Sequence, residues 1–194
     1  MIEKFVIAIE PSNDLDLDLD RLKKVFKKYS INDYIEHPNH LTILHGYFIK
    51  ENLFTAIEKI DSDEFSIKTN KIECFPEDQL TNSKTLYISL AHEPNLFQLQ
   101  KEILSKIKKE IVNKDLEKFF DNTSNYGKNL KRYSYPYVGD DWVPHFTICS
   151  LNDINTQEFK EFINNPVLKI MKVKKITVFK VSGSKHDKVK ELKL

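Results

Sequence analysis

The sequence predicts an α+β fold built from two roughly similar halves. Three observations carry this. Short apolar stretches of strand length alternate with amphipathic stretches of helix length. The order strand, helix, strand, helix, strand, strand in the first half is followed by helix, loop, strand, helix, strand, strand in the second. One short pattern also occurs once in each half: His40-Leu41-Thr42-Ile43 after Pro38-Asn39, and His145-Phe146-Thr147-Ile148 after Val143-Pro144. No tandem repeat of fixed period and no low-complexity linker divides the chain, so residues 1–194 are read as one domain with a long loop insertion at 113–141.

Lys4 to Ile9 reads as a buried first strand closed by Pro11. Asp14 to Asp20 (DLDLDLD) alternates like a strand. However, Leu19, Leu22, Val25 and Phe26 follow at helical steps, with acids at the start and lysines near the end, as a helix dipole favours. A turn and then a helix are expected there. His40 to Ile49 is a second strand, Leu53 to Ile60 a short helix, and Glu64 to Phe75 a third strand. Pro76 to Lys84 is a polar loop and Thr85 to Leu90 a fourth strand. Asn95 to Val112 is the longest helix, with Leu96, Leu99, Ile103, Ile107 and Ile111 at three- and four-residue steps. From Asn113 to Gly139 the rhythm breaks into a long loop containing Tyr126, Tyr133, Tyr135 and Tyr137, with a short helix expected around Leu116 to Phe120. His145 to Ser150 is a fifth strand, and Thr156 to Ile163 a short helix capped by Asn155. Lys172 to Val181 is a sixth strand. Ser182-Gly183-Ser184 then turns the chain so that Lys188 to Leu192 pairs back as a hairpin.

Composition excludes several classes. Hydrophobic residues at 40% and aromatic residues at 11% build a core and exclude a disordered chain. The 30 basic residues are balanced by 29 acidic ones, leaving a net charge of +1. That excludes a bulk DNA binder and confines any nucleotide to a local pocket. Met1 to Glu10 fits neither a signal peptide nor a span, and no run approaches the ~18 apolar residues of a spanning helix. A cytoplasmic protein without a membrane partner is expected. Cys74 and Cys149 lie far apart and outside any CxxC pair, so they are read as reduced thiols.

The repeated pattern is a chemical unit. In a strand, residues two apart share a face, so His40 projects with Thr42 and His145 with Thr147. Leu41, Ile43, Phe146 and Ile148 project the other way, into a core. If the two strands lie side by side, four polar groups converge on one cleft. Imidazoles with unperturbed pKa values of about 6.5 carry opposite protonation states near neutral pH. One takes a proton from a nucleophile while the other protonates the leaving oxygen. The threonine hydroxyls donate to the nonbridging oxygens of a phosphodiester. No metal or cofactor is required by this scheme.

These residues resemble the two His-x-Ser/Thr motifs of the 2H phosphoesterase superfamily, which includes bacterial 2'-5' RNA ligase-like proteins and cyclic nucleotide phosphodiesterases. Pro144 before His145, Gly46 after the first motif and the long helix before the second are also similar, and the likeness covers residues 3–182. The resemblance implies a two-lobed α+β, 2H phosphoesterase-like fold: pseudo-two-fold antiparallel sheets flanked by helices, with the active site in the central cleft. It implies a phosphodiesterase acting on 2',3'-cyclic phosphate ends or 2'-5' linkages, with His40, His145, Thr42 and Thr147 as catalytic residues. The partner is then a nucleotide or RNA end, the protein a monomer, and metal and cofactor none. Hydrolysis of cyclic oligonucleotide second messengers and a non-catalytic RNA- or nucleotide-binding module are the alternatives. Ser150 stands where many bacterial members have arginine, and the segment from Asn113 to Asp141 is longer than in compact members.

Further residues are candidates for the same cleft. Arg132, Tyr135, Tyr137 and Trp142 lie just upstream of His145 and are expected to stack a base and hold a phosphate, or else to pack as a satellite core, with Trp142 equally read as a structural plug. Glu36, His37, His40 and His45 match no zinc spacing, and straight-strand parity turns His45 away from His40. His92 and His186 are read as isolated and exposed. Ser182-Gly183-Ser184-Lys185 lacks the rest of a phosphate loop.

Overall fold

The computed structural model describes residues 1–78, 81, 83–112, 124–152 and 161–194. Among these residues the strands are β1 (Ile2–Ile9), β2 (Leu41–Ile49), β3 (Phe65–Asp78), β4 (Ser83–Leu90), β5 (His145–Leu151), β6 (Ile170–Val173), β7 (Lys175–Ser182) and β8 (Lys185–Lys193). The helices are α1 (Asn13–Phe26), α2 (Lys50–Ile57), α3 (Pro94–Ile107) and α4 (Asn125–Tyr133). All strands join one antiparallel sheet in the order β6-β3-β4-β5-β2-β1-β7-β8. The order mirrors itself about the β5/β2 seam: β2 matches β5, β1 matches β4, and β7 matches β3. This is the pseudo-two-fold α+β fold that the two motifs implied. Among the described residues no helix is long and apolar enough to cross a membrane.

The segment read as one strand from Lys172 to Val181 is two. Lys174 alone separates β6, which pairs with β3, from β7, which pairs with β1. Strands adjacent in the chain thus lie near opposite ends of the strand order, which requires the sheet to curl. The polar loop expected from Pro76 is also corrected. β3 runs through Pro76 to Asp78, with a register shift between Phe75 and Asp78 that accommodates a residue lacking an N–H. The tyrosine-rich loop contains α4, capped by Ser124, whose hydroxyl accepts from the Gly127 N–H at 3.0 Å. The helices expected around Leu116–Phe120 and over most of Thr156–Ile163 lie outside the described residues.

The alternating DLDLDLD segment is helical, and the reason is visible in its contacts. Leu15 and Leu19 are fully buried while Leu17 is 58% exposed, a spacing only a helix produces. The acids have a use of their own. Asp16 and Asp20, one turn apart, each accept from the Asn39 side-chain amide at 2.8 Å. The Lys23 amine donates to the His37 carbonyl at 2.7 Å. Helix α1 therefore grips the loop that delivers the first motif.

One apolar cluster joins α1, α2 and α3 to one face of the sheet, including Phe5, Ile7, Leu41, Ile43, Phe146 and Ile148. The opposite face is only thinly apolar, with Val6, Ala8 and Phe179. β2 and β5 meet at one residue pair, Leu41 with Phe146. Beyond it β2 carries a bulge: Leu44 pairs with Ile7 and Thr42 with Ala8, so Ile43 has no partner. Its carbonyl accepts from the Gln100 side-chain amide at 3.0 Å, and Gln100 also donates to the Tyr137 carbonyl and accepts from the Gly139 N–H. The Trp142 indole N–H donates to the Thr42 carbonyl at 3.2 Å.

Replacing Gln100 by Met keeps the shape and removes the donor at the bulge. A buried carbonyl that loses its partner costs about 1–3 kcal/mol. A urea-midpoint shift of that size in Gln100→Met, with the Gln100→Glu variant at least as damaged, is the expected result.

Candidate active site

Each motif histidine enters its strand from a proline-marked turn, and each ring is fixed in the same way. His40 Nδ1 lies 2.7 Å from the Pro38 carbonyl, and His145 Nδ1 lies 2.6 Å from the Val143 carbonyl. A carbonyl only accepts, so Nδ1 carries the proton in both rings. Nε2 is left for a substrate, as an acceptor when the ring is neutral and a donor when it is charged. Extending the Leu41–Phe146 register by one residue either way sets His40 opposite Thr147 and Thr42 opposite His145. The four side chains occupy one face in a crossed arrangement. Diagonal neighbours in a regular pair lie about 7–8 Å apart at the backbone, and the charged form of His145 acts on His40.

The bulge has a counterpart in β5. Cys149 pairs with Leu86 and Thr147 with Tyr87, so Ile148 is passed over just as Ile43 is. Each bulge reverses the strand's parity. His45 then pairs with Val6, on the same face as Thr42 and Ala8. The expectation that His45 turns away is therefore corrected: a straight strand would do so, and this one is bulged. Ser150 is brought to the equivalent position on β5. There it is fully buried, 3.1 Å from the Thr85 hydroxyl, which in turn donates to Asp78 at 2.7 Å.

Aromatic rings flank both histidines. His145 lies against Phe75 (5.1 Å between centroids) and Tyr87 (5.0 Å), which stack on each other at 4.2 Å. His40 lies against Phe179 (5.8 Å) and His186 (5.5 Å). Phe75 pairs across from neighbours of β4 as Phe179 does from neighbours of β1, so the two phenylalanines are counterparts in the mirrored sheet. His186 is not isolated: it sits 4.3 Å from His37 and reaches back over Phe179 toward His40. His92 is exposed beside Phe97. Among the described residues no group of three His, Cys, Asp or Glu side chains is placed to hold a metal ion, and Glu36 pairs with Lys27 at 2.9 Å.

The expected substrate-binding residues divide. Trp142 is 4% exposed and packs on Phe97 in the core, with its N–H committed to Thr42; of the two readings open to it, stacking platform or plug, it takes that of a plug beneath the first motif. Tyr135 is buried in the same core, although its ring edge meets His45 at 6.1 Å. Tyr137 packs against Tyr126 and Tyr135, and burial raises its phenol pKa. Arg132 is exposed on α4, its guanidinium over the Tyr133 ring at 5.1 Å. Phe75, Tyr87, Phe179, His186 and His45 are the residues that sequence reasoning missed. A signal for His45 was present: the apolar doublets Ile43-Leu44 and Ile148-Cys149 break the alternation at the same point in both strands.

Burial also shifts the titrations. His40 is held down at about 4, chiefly by burial, against the hydrogen bond to Pro38 and with repulsion from His186, Lys23 and His145 added. Burial lowers His145 as well, opposed by its hydrogen bond to Val143 and by the Asp78 carboxylate. The expectation of two unperturbed imidazoles is thus corrected, and the two differ in their charged neighbours. His37 and His45 are each pushed down to about 3 by burial first, then by His186 on His37 and by Lys4 on His45.

No family model matches the sequence, and no curated protein matches it. Solved structures do match. E. coli LigT in its apo form aligns at TM-score 0.65 and 12% identity over 99% of this chain and 97% of its own. A structure described as a phosphoesterase aligns at 0.64 and 11% identity over 100% of this chain and 99% of its own. The chain has the LigT fold. TT0787 of Thermus thermophilus shares it at TM-score 0.64 and 13% identity over 98% of this chain and 97% of its own. LigT structures are complexed with 3'-AMP, NADP+, ATP and phosphate. The LigT fold agrees with the 2H phosphoesterase-like architecture implied by the two His-x-Thr motifs.

Depressed histidines tie stability to pH. Below about 6.5 the unfolded chain binds protons that His37, His40 and His45 refuse until pH 3–4 in the folded state. Stability contributed above pH 6.5 is therefore lost as pH falls toward 4. Urea midpoints measured from pH 7 to pH 4 are expected to fall, and to fall less steeply in a His45→Phe variant.

Proposed function

We propose that the protein is a metal-independent phosphodiesterase of the 2H type acting on RNA ends or nucleotides, at a 2',3'-cyclic phosphate or a 2'-5' linkage. The observation that carries this reading is the crossed pairing of the two motifs, with each imidazole tied through Nδ1 to a backbone carbonyl. In this reading the two free Nε2 atoms face one phosphate from opposite sides.

His40 is assigned as the general base and His145 as the general acid. Cationic and imidazole neighbours (Lys23, His186, His145) keep His40 neutral, while Asp78 favours the charged form of His145. A bound phosphodiester anion favours charged His145 further. His40 Nε2 removes the proton from water or a ribose hydroxyl, whose oxygen forms the new bond to phosphorus. The bond from phosphorus to the leaving oxygen breaks, and His145 Nε2–H supplies that oxygen's proton. The Thr42 and Thr147 hydroxyls donate to the nonbridging oxygens as charge builds there. At the end His40 is charged and His145 neutral, and exchange with water restores both.

Aromatic rings on both flanks favour one second reading. Phe75 and Tyr87 on one side and Phe179 on the other suit a linkage with a nucleoside at each end, including that of a cyclic oligonucleotide signal.

The protein is to be incubated with 2',3'-cyclic nucleotides, 2'-5' and 3'-5' dinucleotides and cyclic dinucleotides, with products read by mass. Turnover unaffected by EDTA is expected, with a loss of about 10²–10⁴-fold in His40→Ala or His145→Ala. Full activity in either variant, or binding without product from every substrate, overturns the assignment. The kcat/KM profile reports the free enzyme, in which both rings titrate below their ordinary value. Its bell is expected to peak on the acid side of pH 6.5. Its alkaline limb, governed by His145, should move to lower pH in Asp78→Asn.

A further inference from the structure

The parity reversal that turns His45 onto the site face places it near a second group that the proposed reaction does not use. His45 pairs with Val6, and Lys4 lies two residues from Val6 on the same face of β1, which makes Lys4 and His45 diagonal cross-strand neighbours. Both are half-buried. Among the described residues neither the Lys4 amine nor the His45 ring nitrogens have a hydrogen-bond or ion-pair partner; the His45 ring meets only the edge of Tyr135. A lysine taken partly out of water without an acceptor is costly, and an anion placed there offsets that cost.

Lys4 disfavours the charged forms of His37, His45 and His186, so these imidazoles are held neutral and Lys4 is the cation among them. Nearby acids are already engaged: Glu10 with Lys188 at 2.8 Å, and Glu3 with Lys180. The mirrored position on β5 is different. Ser150 there is buried against Thr85, which is bonded to Asp78. The two flanks thus differ, with the Lys4 amine on the β1 side and the Asp78 carboxylate on the β4 side. Three residues of strand separate Thr42 from His45, at most about 10 Å at the usual rise and less across a bulge, the reach of one nucleotide.

We propose that Lys4 and His45 form a second phosphate-binding subsite, and that the substrate is an oligonucleotide carrying a further phosphate next to the linkage that is cut. The ligand's identity rests on the phosphodiesterase reading above; the subsite itself does not. Lys4 supplies the charge and a neutral His45 supplies an N–H donor. Asp78 on the opposite flank gives the substrate a single direction across an otherwise mirrored cleft.

The test is binding to the full-length His145→Ala chain, by calorimetry, of three 2'-5' diadenosine probes: one with the internal phosphate alone, one also 5'-phosphorylated, and one also 3'-phosphorylated. One terminally phosphorylated probe is expected to bind about 10- to 100-fold tighter than the unphosphorylated one, the range for a charge-assisted contact. Lys4→Gln should abolish that preference, Lys4→Arg should retain it, and His45→Phe should weaken it. The slope of log affinity against log salt should also become shallower by about 0.7 in Lys4→Gln, as for one lost contact to a single strand. Equal binding of the three probes, or a preference that survives Lys4→Gln, overturns the proposal. Inorganic phosphate bound with the same Lys4 dependence, but with no preference among the probes, overturns the oligonucleotide assignment. If the wild-type chain turns over no substrate yet the Lys4-dependent preference is present, the subsite stands and the phosphodiesterase reading falls.

Discussion

Two strands able to pair along their length touch at one residue pair, Leu41 with Phe146, and the rest of the site follows from that. Each strand carries a bulge two residues further on, at Ile43 and at Ile148. A bulge adds a residue, strengthens the local twist and bends its strand. The two bulges are placed symmetrically, one beyond each end of the single paired position that joins the halves of a continuous sheet. The motifs flank that paired position, one residue to either side of it on each strand. Rigid elements hold them there. Helix α3 supplies Gln100 to the bulge, Trp142 fills the space beneath, and helix α1 clamps the entering loop through Asn39 and His37.

A mirrored scaffold gives acid and base chemistry only if something breaks the mirror. Backbone geometry does not: both rings are fixed by the same kind of Nδ1–H bond to a carbonyl. The neighbours do. His186 and Lys23 press on His40, whereas Asp78 acts on His145. In the mirrored positions, Lys4 and His45 on β1 and β2 correspond to the Ser150–Thr85–Asp78 chain on β5, β4 and β3. Equal positions with unequal charges give the mirrored scaffold two distinct flanks.

Much of the fold was legible because it is written in local periodicity. The buried Leu15 and Leu19 settle the DLDLDLD segment as a helix, as the downstream helical stripe indicated, and the hairpin after Ser182 forms at its turn signal. The misreadings have a shared physical cause: each concerns a departure from a straight element. β3 passes through Pro76 by an irregular register, the expected sixth strand divides at Lys174 between two neighbours, and His45 changes face at a bulge.

By itself the sequence determined two His-x-Thr units, each a single polar face, because strand periodicity is a property of neighbouring residues. It also determined a near-neutral surface and the helices that cover the core. Only the tertiary structure decided that the two units meet, because a contact between residues 41 and 146 depends on the register of distant strands. It likewise decided that His186 and Phe179 flank His40, that Phe75 and Tyr87 flank His145, and that Lys4 and His45 share a face with the cleft. Those placements follow from bulges, curl and cross-strand pairing, which a linear pattern does not encode.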